Sequence, residues 1–257
     1  MTRALRIELI GVPDLPLVKP GDDLAALIAT ALEREELRPA AGDIVVVAQK
    51  IVSKAENRFV DLASVAPSDR AIAVAAQTEK DPRLVEVVLG ESRRIVRQRP
   101  GVLITEHRLG YVMANAGVDQ SNVAPPDGRE RVLLLPRDPD GSAQDLRARL
   151  SAHFGCEVAV IINDSFGRPW RRGTAGVALG AAGLPVVVDL RGQPDMFGRT
   201  LQASVVGFAD EIAAAASLVM GQAAEALPVV LVRGVKWTTA ASAARSLIRP
   251  ADEDLFR

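Results

Sequence analysis

Val158-Ala159-Val160-Ile161-Ile162-Asn163-Asp164-Ser165-Phe166-Gly167-Arg168-Pro169-Trp170-Arg171-Arg172-Gly173 joins five apolar residues directly to a polar segment punctuated by glycine. A continuous run of aliphatic, mostly β-branched residues reads as a buried strand, so 158–162 is expected in the interior. Asp164 then follows the strand's end, where a rigid element can deliver a carboxylate to a crevice. Arg168, Arg171 and Arg172 come next, and guanidinium groups bind phosphate or carboxylate bidentately. The competing reading is a solvated basic loop with Trp170 packed beneath it.

Outward from this stretch, further short apolar runs at 44–47, 102–105, 111–114, 132–135, 186–190 and 229–232 read as strands. Helical periodicity is expected over 23–36, 82–97, 140–154 and 210–220. The last is rich in alanine, whose high helix propensity and small side chain suit a core helix in close packing. The order predicts a mixed α/β or α+β chain. No Walker loop and no G-x-G-x-x-G fingerprint stands at a strand-to-helix junction, so a bound nucleotide needs an unusual site. The loop Ala124-Pro125-Pro126-Asp127-Gly128 and the turn Arg137-Asp138-Pro139-Asp140-Gly141 mark a subdomain edge near 124–141 within one unit covering 1–257.

The 257 residues, 48% of them hydrophobic, suffice for a substantial core. With 31 Lys plus Arg against 32 Asp plus Glu, the net charge of -1 provides no global field for nucleic acid or an acidic membrane. Anionic ligands must be met by local cations or metal. Cys156 is the single cysteine, excluding an internal disulfide, and the opening residues lack a secretory apolar stretch. No apolar run approaches the roughly 20 residues that span a bilayer. A cytoplasmic protein is expected.

The segment Asn115-Ala116-Gly117-Val118-Asp119-Gln120-Ser121-Asn122 carries a carboxylate among amides and a hydroxyl, a donor set suited to a hard cation such as Mg²⁺ or Mn²⁺. It reads equally as an Asx-rich turn capping its own backbone; Asp119 gains meaning only with a second carboxylate, for which Asp164 is the candidate. Lys50 and Lys54, four apart after the strand at 44–47, can reach one phosphate together, or are simply exposed lysines. Asp189-Leu190-Arg191-Gly192-Gln193-Pro194-Asp195-Met196-Phe197-Gly198-Arg199 is a third polar constellation, alternatively a surface loop with salt bridges. His107 and His153 are too few and too badly spaced for a zinc site with Cys156, and no G-x-S-x-G elbow supports a serine hydrolase.

Taken in order, these segments resemble the coenzyme F420-0:L-glutamate ligase family across essentially the whole chain. The resemblance rests on Leu15-Pro16-Leu17, on Gly42-Asp43-Ile44-Val45-Val46-Val47 running into Lys50 and Ser53-Lys54-Ala55-Glu56, and on Asn115-Ala116-Gly117-Val118-Asp119 with Ser121-Asn122-Val123. It continues through Leu135-Pro136-Arg137-Asp138-Pro139-Asp140-Gly141-Ser142-Ala143, Asp164-Ser165-Phe166-Gly167-Arg168 with Trp170-Arg171, Ala209-Asp210-Glu211-Ile212-Ala213 and Met220-Gly221-Gln222.

The resemblance implies an α+β fold of two intertwined lobes that forms a homodimer. It also implies GTP-dependent ligation of L-glutamate to coenzyme F420-0 through an acyl phosphate, with two divalent metals, Mg²⁺ or Mn²⁺. By the family's pattern Asp119 and Asp164 hold one metal and Ser165 and Gln222 serve a second. Ser165 stands where relatives often carry Thr, and Gln222 where relatives can have Glu. The guanine nucleotide is expected against Pro13, Asp14, Leu15, Pro16, Gln49, Lys50, Lys54 and Asn122. The loop Met220, Gly221, Gln222, Ala223, Ala224, Glu225, Ala226 and Leu227 would complete that site. Ile248-Arg249-Pro250-Ala251-Asp252-Glu253-Asp254-Leu255-Phe256-Arg257 resembles the junction after which bifunctional relatives continue into a nitroreductase-like domain, so a single-function ligase is expected. A metal-dependent phosphohydrolase and a non-catalytic nucleotide-binding subunit remain as alternatives, since both use the same residues.

Overall fold

The computed structural model describes residues 4–123 and 128–255. The expected loop edge at 124–127 lies outside the described residues. In chain order the strands are β1 (Glu8–Gly11), β2 (Ile44–Ala48), β3 (Phe59–Asp61), β4 (Ser92–Arg99), β5 (Val102–His107) and β6 (Val112–Ala114). They continue with β7 (Arg131–Leu133), β8 (Ala159–Gly167), β9 (Thr174–Ala182), β10 (Val188–Asp189), β11 (Val205–Val206) and β12 (Val229–Arg233). The helices are α1 (Leu24–Arg34), α2 (Gln49–Ala55), α3 (Asp69–Thr78), α4 (Pro82–Glu91), α5 (Pro139–Phe154) and α6 (Phe208–Met220). The class is α+β.

The main sheet runs β1-β12-β2-β8-β9. Only β2 and β8 are parallel, with Ile44 opposite Ala159 and Ala48 opposite Asn163. The three central strands carry nearly unbroken apolar runs because both faces are covered. Val45, Val47, Val160, Ile162, Val229 and Leu231 pack towards α1 and α5, whereas Ile44, Val46, Ala159, Ile161, Val230 and Val232 pack towards α6. Side-chain alternation thus divides one sheet between two cores.

Residues between α2 and α5 build a third core. Leu62, Val74, Leu84, Val85, Val88, Leu103, Val118 and Val132 come together from α3, α4, the β4-β5-β6 sheet and the β3-β7 pair. Arg58 stitches this region together: its guanidinium donates to the Leu135 carbonyl at 2.8 Å and to Glu91 at 3.0 Å.

Three expectations require correction. The helix expected over 82–97 stops at Glu91, because Ser92 turns extended and 92–99 pairs antiparallel with β5. That pairing outweighs the helix propensity of its arginines. The strand at 158–162 continues to Gly167, since β9 supplies a partner beyond the point where β2 ends; Asp164 and Ser165 therefore lie within a strand. Trp170 is not packed beneath the basic loop but is 88% exposed at the β8–β9 hairpin tip.

Strand β9, Thr174-Ala175-Gly176-Val177-Ala178-Leu179-Gly180-Ala181-Ala182, has no sequence signature of a strand. Its small residues have a packing cause: a Cβ on Gly176 would lie 2.5 Å from the Ala213 carbonyl oxygen, and one on Gly180 would lie 2.1 Å from that of Pro139. Glycine lets α6 and α5 approach the strand from opposite sides.

Candidate active site

Four chain segments meet at one end of the main sheet. Strands β1, β2 and β8 all reach it with their carboxyl ends, and β12, antiparallel to β1 and β2, starts there with Val229 opposite Val47. Ligands of sheets with parallel strands commonly bind outside such carboxyl ends. The turn at 13–16 follows β1, α2 follows β2, Asp164 follows the last β2-paired residue of β8, and the loop 221–227 precedes β12.

Helix α2 begins immediately after β2, so residues four apart share a face. The buried Ser53 hydroxyl donates to Gln49 Oε1 at 2.8 Å, which fixes the amide with Nε2 outward, and Nε2 donates to Asp119 Oδ2 at 3.2 Å. Lys50 Nζ stands 3.4 Å from the same Oδ2 and donates to Ser121 Oγ at 2.8 Å. Lys54 Nζ donates to the Asn122 carbonyl at 2.8 Å. Burial, and then the charge of Lys50, holds the Lys54 ammonium below its ordinary pKa.

Asp119 is pinned by its backbone, whose N–H and C=O both bond Leu133 at 2.9 Å. The approach to it is tight. Asn115, Ala116 and Gly117 all have positive φ, and a Cβ on Gly117 would come within 2.8 Å of Leu135 Cδ2. That position accepts only glycine without movement.

Asp164 arrives from the other side. Its Oδ1 accepts the Ser165 backbone N–H at 2.8 Å. Burial and then the neighbouring charge of Asp119 push its carboxyl up to about 7, with the Ser165 N–H and Lys50 acting in the opposite sense. Asp119 is likewise raised, by burial, against Lys50 and Gln49. A carboxylate whose ionisation is opposed by burial and by a neighbouring carboxylate is what a hard divalent cation relieves. Among the described residues no three His, Cys, Asp or Glu side chains gather. A cation held by Asp119 and Asp164 would therefore complete its shell with hydroxyl, amide, water or substrate oxygens, as Mg²⁺ commonly does.

The remaining expected nucleotide residues are held by neighbouring segments at this end of the sheet. Asn122 Nδ2 donates to the Ala223 carbonyl at 3.4 Å, and the Ala223 N–H to Glu225 at 2.8 Å. The turn at 13–16 is held by Arg34, which donates to the Pro13 carbonyl at 2.7 Å and the Asp14 carbonyl at 3.2 Å. Gly11, just before it, lies against Val219 and Leu227, which brings the turn beside the root of the 221–227 loop. Gln222 is exposed on that loop.

Arg168, Arg171 and Arg172 sit together on the exposed β8–β9 tip. The third constellation is satisfied internally: Arg191 and Asp189 form a forked pair, and Asp195 accepts from the Phe197 and Arg199 N–H groups. The bland reading of that loop holds. Two surface grooves of about 430 and 590 Å³ lie along α1 and between α2 and α5, and neither includes Asp119 or Asp164.

Ser53 and Asn163 had no role assigned from sequence. Ser53 follows Gln49 by four residues, the only hint of its function. Asn163 is a polar residue inside an apolar run; its Nδ2 donates to Ser217 Oγ at 2.9 Å and it meets Met220 Sδ at 3.3 Å, tying β8 to the end of α6.

A family model described as F420-0:Gamma-glutamyl ligase matches residues 13–234. A protein of Methanothermobacter thermautotrophicus named coenzyme F420:L-glutamate ligase is 48% identical over 253 residues, covering 98% of this chain and 99% of its own length. One of the same name from Methanopyrus kandleri is 49% identical over 257 residues, covering 98% of each. Another from Methanococcus maripaludis strain C7 is 39% identical over the full length of both.

Proposed function

Because this chain belongs to the F420-0:gamma-glutamyl ligase family, we propose that it is a ligase that joins L-glutamate to coenzyme F420-0 at the expense of GTP. The observation that carries the site assignment is the convergence of Asp119 and Asp164, with Lys50 and Gln49 on the same carboxylate. Substrate specificity comes from the family, not from this geometry.

The proposed reaction has two steps. A carboxylate oxygen of F420-0 attacks the γ-phosphorus of GTP, the bond to the bridging oxygen breaks and GDP leaves. The glutamate amine then attacks the acyl carbon, phosphate departs with the C–O bonding pair, and the amine's proton passes to solvent. The balance is one amide, GDP and phosphate.

Divalent metal, Mg²⁺ or Mn²⁺, supplies charge neutralisation at the phosphoryl group when bound; Asp119 and Asp164 would hold it, with Ser165 and Gln222 offering a hydroxyl and an amide for a second ion. Lys50 and Lys54 provide positive charge on one face of α2 for the nucleotide phosphates. Gln49, oriented by Ser53, fixes the Asp119 carboxylate. The exposed Arg168, Arg171 and Arg172 suit the phosphodiester of the coenzyme or the carboxylates of glutamate.

The test incubates purified protein with GTP, Mn²⁺, F420-0 and glutamate, and follows GDP and the coenzyme's mass. GDP together with a mass increase of one or more glutamyl units is expected. Equal GDP release without glutamate would establish a phosphohydrolase instead, and no GDP under any condition would leave a nucleotide-binding subunit.

A further inference from the structure

The ladder between β8 and β9 is broken beside the candidate site. Ile162 faces Gly180 but Asn163 faces Ala178, so Leu179 has no partner across the hairpin. Such a bulge bends its strand and re-aims the side chains beyond it. It also leaves backbone polar groups that must be satisfied elsewhere when buried, and Leu179 is fully buried.

Two side chains, one from each flanking layer, meet that need. The Ala178 N–H donates to Asp210 Oδ1 at 2.9 Å, from α6. The Leu179 carbonyl accepts the Tyr111 hydroxyl at 2.5 Å, from the turn between β5 and β6. The Tyr111 ring also meets Phe166 edge-on, with centroids 6.0 Å apart. Tyr111 therefore touches β9 at the bulge and β8 two residues past Asp164. Burial holds the phenol well above its ordinary pKa, so it stays a donor.

We propose that Tyr111 and Asp210 are positioning residues that clamp this bulge and so aim Asp164 at Asp119, making the region between α2 and α5 part of the site's geometry. The inference rests on the role proposed above for Asp164. Replacing Tyr111 by Phe keeps the ring contact and removes only the bond to Leu179. Asp210→Ala removes the other bond, whereas Asp210→Asn retains an amide oxygen that can accept from Ala178.

Each variant is tested in the full-length protein by two measurements. Hydrogen-deuterium exchange of peptides covering 159–167 and 174–182 reads the clamp itself. Mn²⁺ affinity by titration, with kcat and KM for GTP and glutamate, reads its consequence. Tyr111→Phe and Asp210→Ala are expected to speed exchange in those peptides several-fold, and to weaken Mn²⁺ and lower kcat by about tenfold, with KM for glutamate unchanged. Asp210→Asn should recover most of both losses.

Unchanged exchange in Tyr111→Phe and Asp210→Ala overturns the clamp. Faster exchange with wild-type Mn²⁺ affinity overturns its link to Asp164, provided Asp164→Asn has lost the ion. If Asp164→Asn itself binds Mn²⁺ normally, the metal assignment is what fails, and the clamp is then judged by exchange alone.

Discussion

Asp119 and Asp164 each tolerate a bland explanation in isolation, an Asx turn and a strand residue. Their placement removes that freedom: Gln49 and Lys50 both reach the Asp119 carboxylate, and the charge of Asp119 raises Asp164. Asp119→Asn and Asp164→Asn keep shape and remove charge, so each is expected to cut turnover at least about 100-fold in a metal-assisted phosphoryl transfer, with unchanged circular dichroism. Activity within a few-fold of wild type in either variant contradicts the assignment. The raised Asp164 carboxyl also predicts a pH dependence. Its folded pKa of about 7 lies above the ordinary 3.8, so the metal-free fold holds a proton that the unfolded chain releases. Its contribution is present below 3.8 and is lost as pH rises towards 7. Because a cation must displace that proton, the gain in Tm from Mn²⁺ should grow between pH 5 and pH 8 and flatten in Asp164→Asn. A gain independent of pH would count against it. At the hairpin tip, Arg171→Ala is expected to raise KM for F420-0 or glutamate several-fold; unchanged KM values for both would remove the arginines from the binding site.

At the scale of elements, what was legible in sequence follows local physics. The strands at 44–47 and 229–232 and the helix over 140–154 are readable because apolar run length and spacing act within a few residues, whereas the 137–141 stretch, expected as a turn, instead supplies the N-cap Asp138 and the first turn of α5. Strand β4 has no local signal against helix, since its partner β5 lies across the Pro100-Gly101 turn and Arg94 is held by Glu106 at 2.8 Å. Strand β9 was invisible because its composition answers to α5 and α6, not to strand propensity. Gly180→Ala is therefore expected to destabilise the fold by about 1–3 kcal/mol, the range for overpacking, measured by urea unfolding. A change below about 0.5 kcal/mol, the scale of a neutral surface substitution, would mean that the Pro139 backbone yields freely.

For the whole molecule, the region between α2 and α5 is braced by a largely buried ionic cluster. Arg58 and Glu91 are each 15% exposed and lie 3.0 Å apart, and His107 Nε2 stands 3.6 Å from the same carboxylate oxygen. His107 and then Arg58 and Arg108 hold Glu91 below its ordinary pKa. Glu91→Ala leaves Arg58 largely buried without its carboxylate, for which about 3–5 kcal/mol of destabilisation is expected, read from the urea midpoint. A depressed carboxylate contributes stability above its unfolded pKa, and that contribution is lost as pH falls through the lower folded value. The acid limb of stability should therefore flatten in Glu91→Gln. Among the described residues no helix is long and apolar enough to cross a membrane.

The sequence by itself determined the central strands, the helix over 140–154 and the family, and offered Asp119 and Asp164 as candidates, because each depends on residue type and order along the chain. Only the tertiary structure decided that β8 runs on past Ile162, that a bulge at Leu179 turns it, and that Asp164 then feels the charge of an Asp119 delivered from the region between α2 and α5. Those features depend on hydrogen-bond partners and close approaches supplied by segments distant in sequence, and no local pattern encodes which backbone groups a remote Tyr111 or Asp210 will satisfy.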